Sequence, residues 1–136
     1  MPDERTTLAA PCGLYCGVCR NKLVAEVCHG CGCQCGECAA AAHRDACAVY
    51  RCCVGEQQLR SCADCDDFPC TRLIQFSCDP IWRTHRPILE NLRRVRSIGV
   101  EAWLNEQEEY WADQVRQERW LRLASQCEAE RREVYG

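Results

Sequence analysis

Cys28-His29-Gly30-Cys31-Gly32-Cys33-Gln34-Cys35-Gly36-Glu37-Cys38 places five thiols in eleven residues, spaced by glycines and polar side chains that let the backbone wrap around an ion. The pattern continues outward in both directions. Fourteen of the sixteen cysteines lie in the 59 residues from Cys12 to Cys70, and only Cys78 and Cys127 stand apart. Thiols this dense form either a disulfide framework or a ligand set for metal. The cysteines of Cys31/Cys33 and Cys33/Cys35 are separated by single residues, which leaves little freedom for separate unstrained disulfides. Metal ligation is the reading that fits the block.

Composition points the same way. The 47% hydrophobic content counts the cysteines; without them roughly a third of the 136 residues is apolar, much of it alanine. Large apolar side chains are scarcest before residue 70, where cysteines are densest. A segment that buries too little surface to offset chain entropy needs cross-links or metal. The length predicts one domain, with a cysteine-rich metal-binding region at 1–70 and a helical region at 71–136 packed on it. A formal charge of −3 and a pI near 5.6 give no global attraction to nucleic acid or an anionic membrane. Met1-Pro2-Asp3-Glu4-Arg5-Thr6-Thr7-Leu8 is charged with no long apolar run behind it, which predicts no signal peptide, no membrane anchor and a cytoplasmic location. In that reducing compartment disulfides do not persist.

Residues 1–11 read as a frayed lead-in. Cys12-Gly13-Leu14-Tyr15-Cys16-Gly17-Val18-Cys19 then forms a C-x3-C-x2-C run, whose two glycines are expected to relieve the crowding of three thiolates turned toward one centre. Asn21 is placed to cap a short helix at 22–27. Downstream of the dense segment, the Ala39-Ala40-Ala41-Ala42 run predicts a helix from about Glu37 to Tyr50, ended by Cys52-Cys53 and Gly55, with a further helical turn over 56–60. His29 and His43 read as spacer and solvated residues rather than ligands, and Asp64, Asp66 and Asp67 as solvated turn residues. Phe68 offers apolar cover beside the Cys62/Cys65 knuckle and Cys70.

From Thr71 the composition turns helical. A short helix is predicted over 71–78, with Asp79 as an N-cap before Pro80. Ile88, Leu89, Leu92 and Val95 recur at helical spacing after Pro87 until Gly99. Val100, Trp103, Leu104, Trp111 and Val115 form a stripe on the next helix. Trp120, Leu121, Ala124 and Cys127 are out of phase with it, which predicts a break between Asp113 and Arg119. Arg93, Arg94 and Arg96 on one helix face Glu101, Glu106, Glu108 and Glu109 on the other, the mark of an antiparallel pair rather than of a phosphate-binding surface. Cys78 and Cys127 read as small apolar residues. The fold class is therefore small and metal-stapled, mainly α with irregular cysteine-rich loops and a helical C-terminal half.

The series Cys12-Gly13-Leu14-Tyr15-Cys16-Gly17-Val18-Cys19, Cys28-His29-Gly30-Cys31, Cys47 to Arg51-Cys52, and Cys62-Ala63-Asp64-Cys65-Asp66-Asp67-Phe68-Pro69-Cys70 resembles the prokaryotic family called domain of unknown function 3795. The resemblance extends through Ile98-Gly99-Val100-Glu101-Ala102-Trp103-Leu104 to Gln107 and Trp111. It implies a small cysteine-ligated protein carrying zinc or an iron–sulfur cluster, with no established activity. Members of that family often carry a further Cys-Pro-x-Cys-Gly knuckle shortly after the position of Trp111, where this chain has Ala112-Asp113-Gln114-Val115. The first-ranked ligands are Cys12, Cys16, Cys19, Cys62, Cys65 and Cys70, which sit in the matching motifs and have turn-compatible spacing. Cys28, Cys31, Cys47 and Cys52 come next, and Cys33, Cys35, Cys38 and Cys53 form a third tier.

Four CxxC units, Cys16/Cys19, Cys28/Cys31, Cys35/Cys38 and Cys62/Cys65, can be paired into two zinc sites of four thiolates each. Three closely spaced cysteines completed by a distant one, here Cys12, Cys16 and Cys19 with Cys70, match the ligation of a 4Fe-4S cluster. Iron–sulfur ranks first, with an electron-transfer, cluster-carrier or redox-accessory role and a protein partner. A zinc-stapled interaction module is the alternative, and copper storage or sensing ranks third. The C-x3-C-x2-C run also matches radical SAM enzymes, but no strand series or glycine-rich cofactor loop comes after it. Thiolates occupied as ligands are not activated nucleophiles, so no catalytic residue is assigned and a non-enzymatic role is favoured.

Overall fold

The structure, a computed structural model, describes residues 8–10, 12–18 and 48–135. It is mainly helical, with a helical C-terminal half, and among the described residues the only β-type pairing is an isolated antiparallel bridge between Ala9 and Tyr15. That bridge corrects the expectation of a frayed lead-in for its last residues. Ala10 donates to the Leu14 carbonyl at 3.1 Å, Gly13 donates back to the Ala10 carbonyl at 3.0 Å, and Ala10 is buried. The helix expected at 22–27 and the first part of that expected at 37–50 lie outside the described residues.

Cys52 and Cys53 do not end the helix that reaches Tyr50. The helical turn α1 (Ala48–Tyr50) runs directly into a π-helical stretch, Arg51–Glu56, that carries both cysteines and Gly55. The wider winding shows in Gln57 N–H donating to the Cys52 carbonyl at 2.9 Å. No helical turn occupies 57–60; the chain reverses at Gln58, whose φ is 57°. Gly55 has helical neighbours and open space around it, so burial of the Val49 and Cys53 side of the segment outweighs its helix-breaking tendency.

After a 3-10 turn at Cys62–Asp64, α2 (Thr71–Ser77) buries Leu73 and Ser77. The Ser77 hydroxyl bonds back to the Ile74 carbonyl at 2.7 Å, a local bond that suits the end of a helix. Asp79 Oδ1 accepts from the Ile81 and Trp82 amides at 2.8 and 2.9 Å. These bonds form a turn and not the expected helix cap: no helix begins at Pro80, and the segment that comes next is a 3-10 turn, Arg83–His85, whose N-cap position is Trp82. Arg86 ties down the end of α2, donating to the Ser77 and Asp79 carbonyls, both at 2.8 Å. His85 stacks on Phe76 with ring centroids 3.9 Å apart, and burial holds its imidazole below the usual histidine range.

α3 (Ile88–Ile98) and α4 (Val100–Tyr110) meet at Gly99, whose φ of 88° is left-handed and suits glycine. They pack against each other, and Arg94 makes a two-pronged ion pair with Glu106 at 2.6 and 3.0 Å, as the opposed charges predict. The break before the last helix comes at Trp111–Asp113, slightly before the expected interval. Asp113 Oδ1 caps the Val115 and Arg116 amides, and α5 (Gln114–Tyr135) begins there. Val115 consequently leaves the apolar stripe and is 53% exposed.

Trp103, Leu73, Ile88, Leu92, Leu104 and Cys127 are the largest fully buried side chains. α5 returns across the molecule to pack on the Arg83–His85 turn and on the 3-10 turn Cys16–Val18, so the C-terminal helix reaches the first cysteine loop. Cys127 is fully buried, as a small apolar residue, whereas Cys78 is exposed, contrary to that expectation. Among the described residues no helix is long and apolar enough to cross a membrane.

Candidate metal centre

The first cysteine loop is held by the helical half. Gly13 sits with φ 98° against α3, where an added Cβ would lie 2.7 Å from the Ile88 carbonyl oxygen and 2.8 Å from Leu92 Cγ. Asn91 Nδ2 donates to the Gly13 carbonyl at 2.9 Å. A Cβ on Gly17 would strike the Tyr15 ring, which stands edge-on to buried Trp103 at 6.1 Å. The two glycines therefore make room for α3 and for the Tyr15 ring, not for converging thiolates as the spacing implies. The result is a loop whose two described cysteines turn inward: Cys12 is 7% and Cys16 3% exposed.

The second cysteine group is built by local hydrogen bonds. Ser61 Oγ accepts from the Ala63 amide at 3.1 Å, capping the 3-10 turn, and the Cys65 amide closes it on the Cys62 carbonyl at 3.2 Å. Ala63, which follows Cys62 in the chain, is buried. Phe68 packs on the core under the Arg96 guanidinium, which lies 5.3 Å from its ring centroid. Cys70 comes next as the residue preceding α2, its carbonyl accepting from the Ile74 amide at 3.0 Å. Asp64, Asp66 and Asp67 are exposed, in keeping with turn residues.

These two groups pack on one core. Cys12 and Cys16 belong to one core cluster with Ala10, Val49, Ala63, Leu73, Ile88 and Leu92, and Cys62, Phe68 and Cys70 pack against the same cluster. Four of the six first-ranked cysteines thus share one core, drawn from segments some fifty residues apart. Cys65, intermediate in exposure, is the other partner of the Cys62 turn. Cys19, Cys28, Cys31, Cys33, Cys35, Cys38 and Cys47, together with His29 and His43, lie outside the described residues.

Cys53, ranked last from sequence, is the most enclosed of the cysteines in its group at 2% exposure, while Cys52 is half-exposed. The Cys53 sulfur lies 3.5 Å from the Leu59 carbonyl oxygen and within hydrogen-bond reach of Cys62. The bond from Cys53 holds Cys62 below the ordinary thiol range despite its desolvation. In return, that bond, burial and the negative charge on Cys62 push Cys53 well above it. Only the consecutive pair Cys52-Cys53 is visible in the sequence; which member turns inward depends on the π-helical winding.

None of the nine described cysteines is in a disulfide. Among the described residues, no three cysteine, histidine, aspartate or glutamate side chains are gathered closely enough to hold an ion. The donors themselves, cysteine thiols, are of the type that a thiophilic metal takes. Asn91 and His85 are structurally employed residues that sequence reasoning missed. Asn91 carried a signal, being a polar residue between Ile88 and Leu92 on the apolar face of α3; His85 carried none. No family model, curated protein or solved structure matches this chain.

Proposed function

We propose that this chain is a cysteine-thiolate metalloprotein whose most fitting cargo is an iron–sulfur cluster, with a role in electron transfer, cluster carriage or redox assistance to a protein partner. The observation that carries the reading is that, in a chain with sixteen cysteines, Cys12 and Cys16 are buried in one small core against which the partly exposed Cys62 and Cys70, from a separate segment, also pack. A cluster bound there supplies one-electron redox chemistry. The chain's own residues supply the rest: Asn91 and the glycine contacts fix the first loop, Ser61 shapes the second, and Phe68 and Leu73 add apolar bulk to the shared core. The reading is of a cytoplasmic binding protein and assigns no catalytic residue.

A zinc-stapled interaction module is the second reading, favoured by the capped Cys62–Asp64 turn, a geometry well suited to a zinc knuckle. Anaerobic purification with iron, zinc and acid-labile sulfide measured per chain separates the two. Iron and sulfide in near-equal amounts with a broad absorbance around ~400 nm support the cluster. Stoichiometric zinc without sulfide supports the module, and neither metal at stoichiometric level removes both.

A further inference from the structure

We propose that α5 is a hinged cover over the first cysteine loop, one that swings clear of the Cys16–Val18 turn while α3 and α4 stay folded. It concerns access to the loop and holds whatever the thiols bind. The three helices differ in how they are anchored. With 11 residues each, α3 buries Ile88 and Leu92, and α4 buries Trp103 and Leu104. With 22 residues, α5 buries only Cys127. Trp120, Leu121, Leu123 and Ala124 are half-buried, and Val115, Val134 and Tyr135 stand out in solvent. A helix of this length that hides one small side chain loses little burial on lifting away, so its opening is a local event of lower free energy than global unfolding.

Two attachments hold α5 down. At its start the short link Trp111–Asp113 joins it to α4, and Trp111 meets Trp120 with ring centroids 5.3 Å apart. Further along, Cys127 enters the core and Glu130 accepts two bonds from the Arg83 guanidinium, at 2.7 and 3.3 Å. That clasp is open to water, its side chains 35% and 45% exposed, and such pairs are weak. Among the described elements α5 packs on the Arg83–His85 turn, which carries the clasp, and on the Cys16–Val18 turn, whose Cys16 is almost fully buried. Releasing the clasp leaves the far half of α5 free to pivot on Trp111–Asp113, and the Cys16–Val18 turn loses its cover. The loop itself stays in place, because Gly13 is docked on α3 and bonded to Asn91.

Hydrogen–deuterium exchange of the full chain, read by peptide mass spectrometry, tests the cover in wild type and in Glu130→Gln. Relative to intrinsic rates, α5 is expected to exchange at least about tenfold faster than α3. Glu130→Gln weakens an exposed ion pair. It should speed exchange in α5 and in the peptide carrying the Cys16–Val18 turn by the same factor, about two- to fivefold, and leave α3 unchanged. Exchange of α5 at the rate of α3 would mean that the helices open only together, which overturns the proposal. So does a Glu130→Gln protein in which α5 is unmoved, because the clasp would then not hold it. A variant in which α5 speeds up and the Cys16–Val18 peptide does not also overturns it, since the turn would owe its protection to something other than α5.

Discussion

At position 13 the absence of a side chain decides whether the first cysteine loop can dock on α3. Gly13 combines a left-handed φ with a close approach to the Ile88 backbone, so two costs fall on any replacement. Gly13→Ala is expected to destabilise the protein by about 2–4 kcal/mol, from backbone strain and from overpacking against a backbone that cannot yield. Gly55→Ala is the control: nothing lies within 4 Å of the added methyl and its φ is not left-handed. There the change should be neutral or stabilising by up to about 1 kcal/mol. Denaturant melts of the two variants read both effects, and equal midpoints would refute the docking role of Gly13. A glycine beside a cysteine reads from sequence as relief for crowded ligands. Only the packing of α3 showed what Gly13 makes room for.

Element boundaries in the helical half follow local side-chain chemistry. Gly99 separates α3 from α4, and Asp113 opens α5 by accepting from two amides that have no helical partner. Asp113→Ala should cost about 1 kcal/mol of stability, whereas Asp113→Asn, which caps equally well, should cost only a few tenths. Thermal melts followed by circular dichroism can separate these cases. Equal loss in both variants would mean that the carboxylate charge, rather than the cap, is what matters. The Arg94–Glu106 pair, by contrast, lies in solvent, is weakened by salt and orients the two helices more than it holds them.

In the molecule as a whole, the cysteine loops and the helices cannot be separated. The Cys12–Val18 loop is fixed by Asn91 and Tyr15–Trp103 and is covered by α5, and the Arg83–Glu130 ion pair ties that helix to the preceding turn. On the proposed metalloprotein reading, stripping metal should therefore lower the melting temperature of the helical signal as well as unfold the cysteine segments. Structural metal sites contribute on the order of 10 kcal/mol in small peptides, so a large shift is expected. Circular dichroism melts before and after chelation, under argon and with reductant, provide the measurement. A helical melt unmoved by complete metal removal would show that α3–α5 stand without the metal-bound loops.

The sequence alone was enough for the helices Thr71–Ser77, Ile88–Ile98 and Val100–Tyr110, because 3.6-residue spacing and Gly99 act through bonds within a few residues of themselves, whereas the helix expected after Asp79 did not form. It also showed where the thiols are dense, since spacing is a property of the chain. It did not show that Cys53 rather than Cys52 turns inward, because a one-residue choice depends on whether the helix winds as α or π. Nor did it show that α5 reaches the Cys16–Val18 turn, or that Asn91 holds Gly13 from 78 positions away. Those contacts join distant segments, and their stability comes from filling one shared core, a quantity that exists only once the chain has folded.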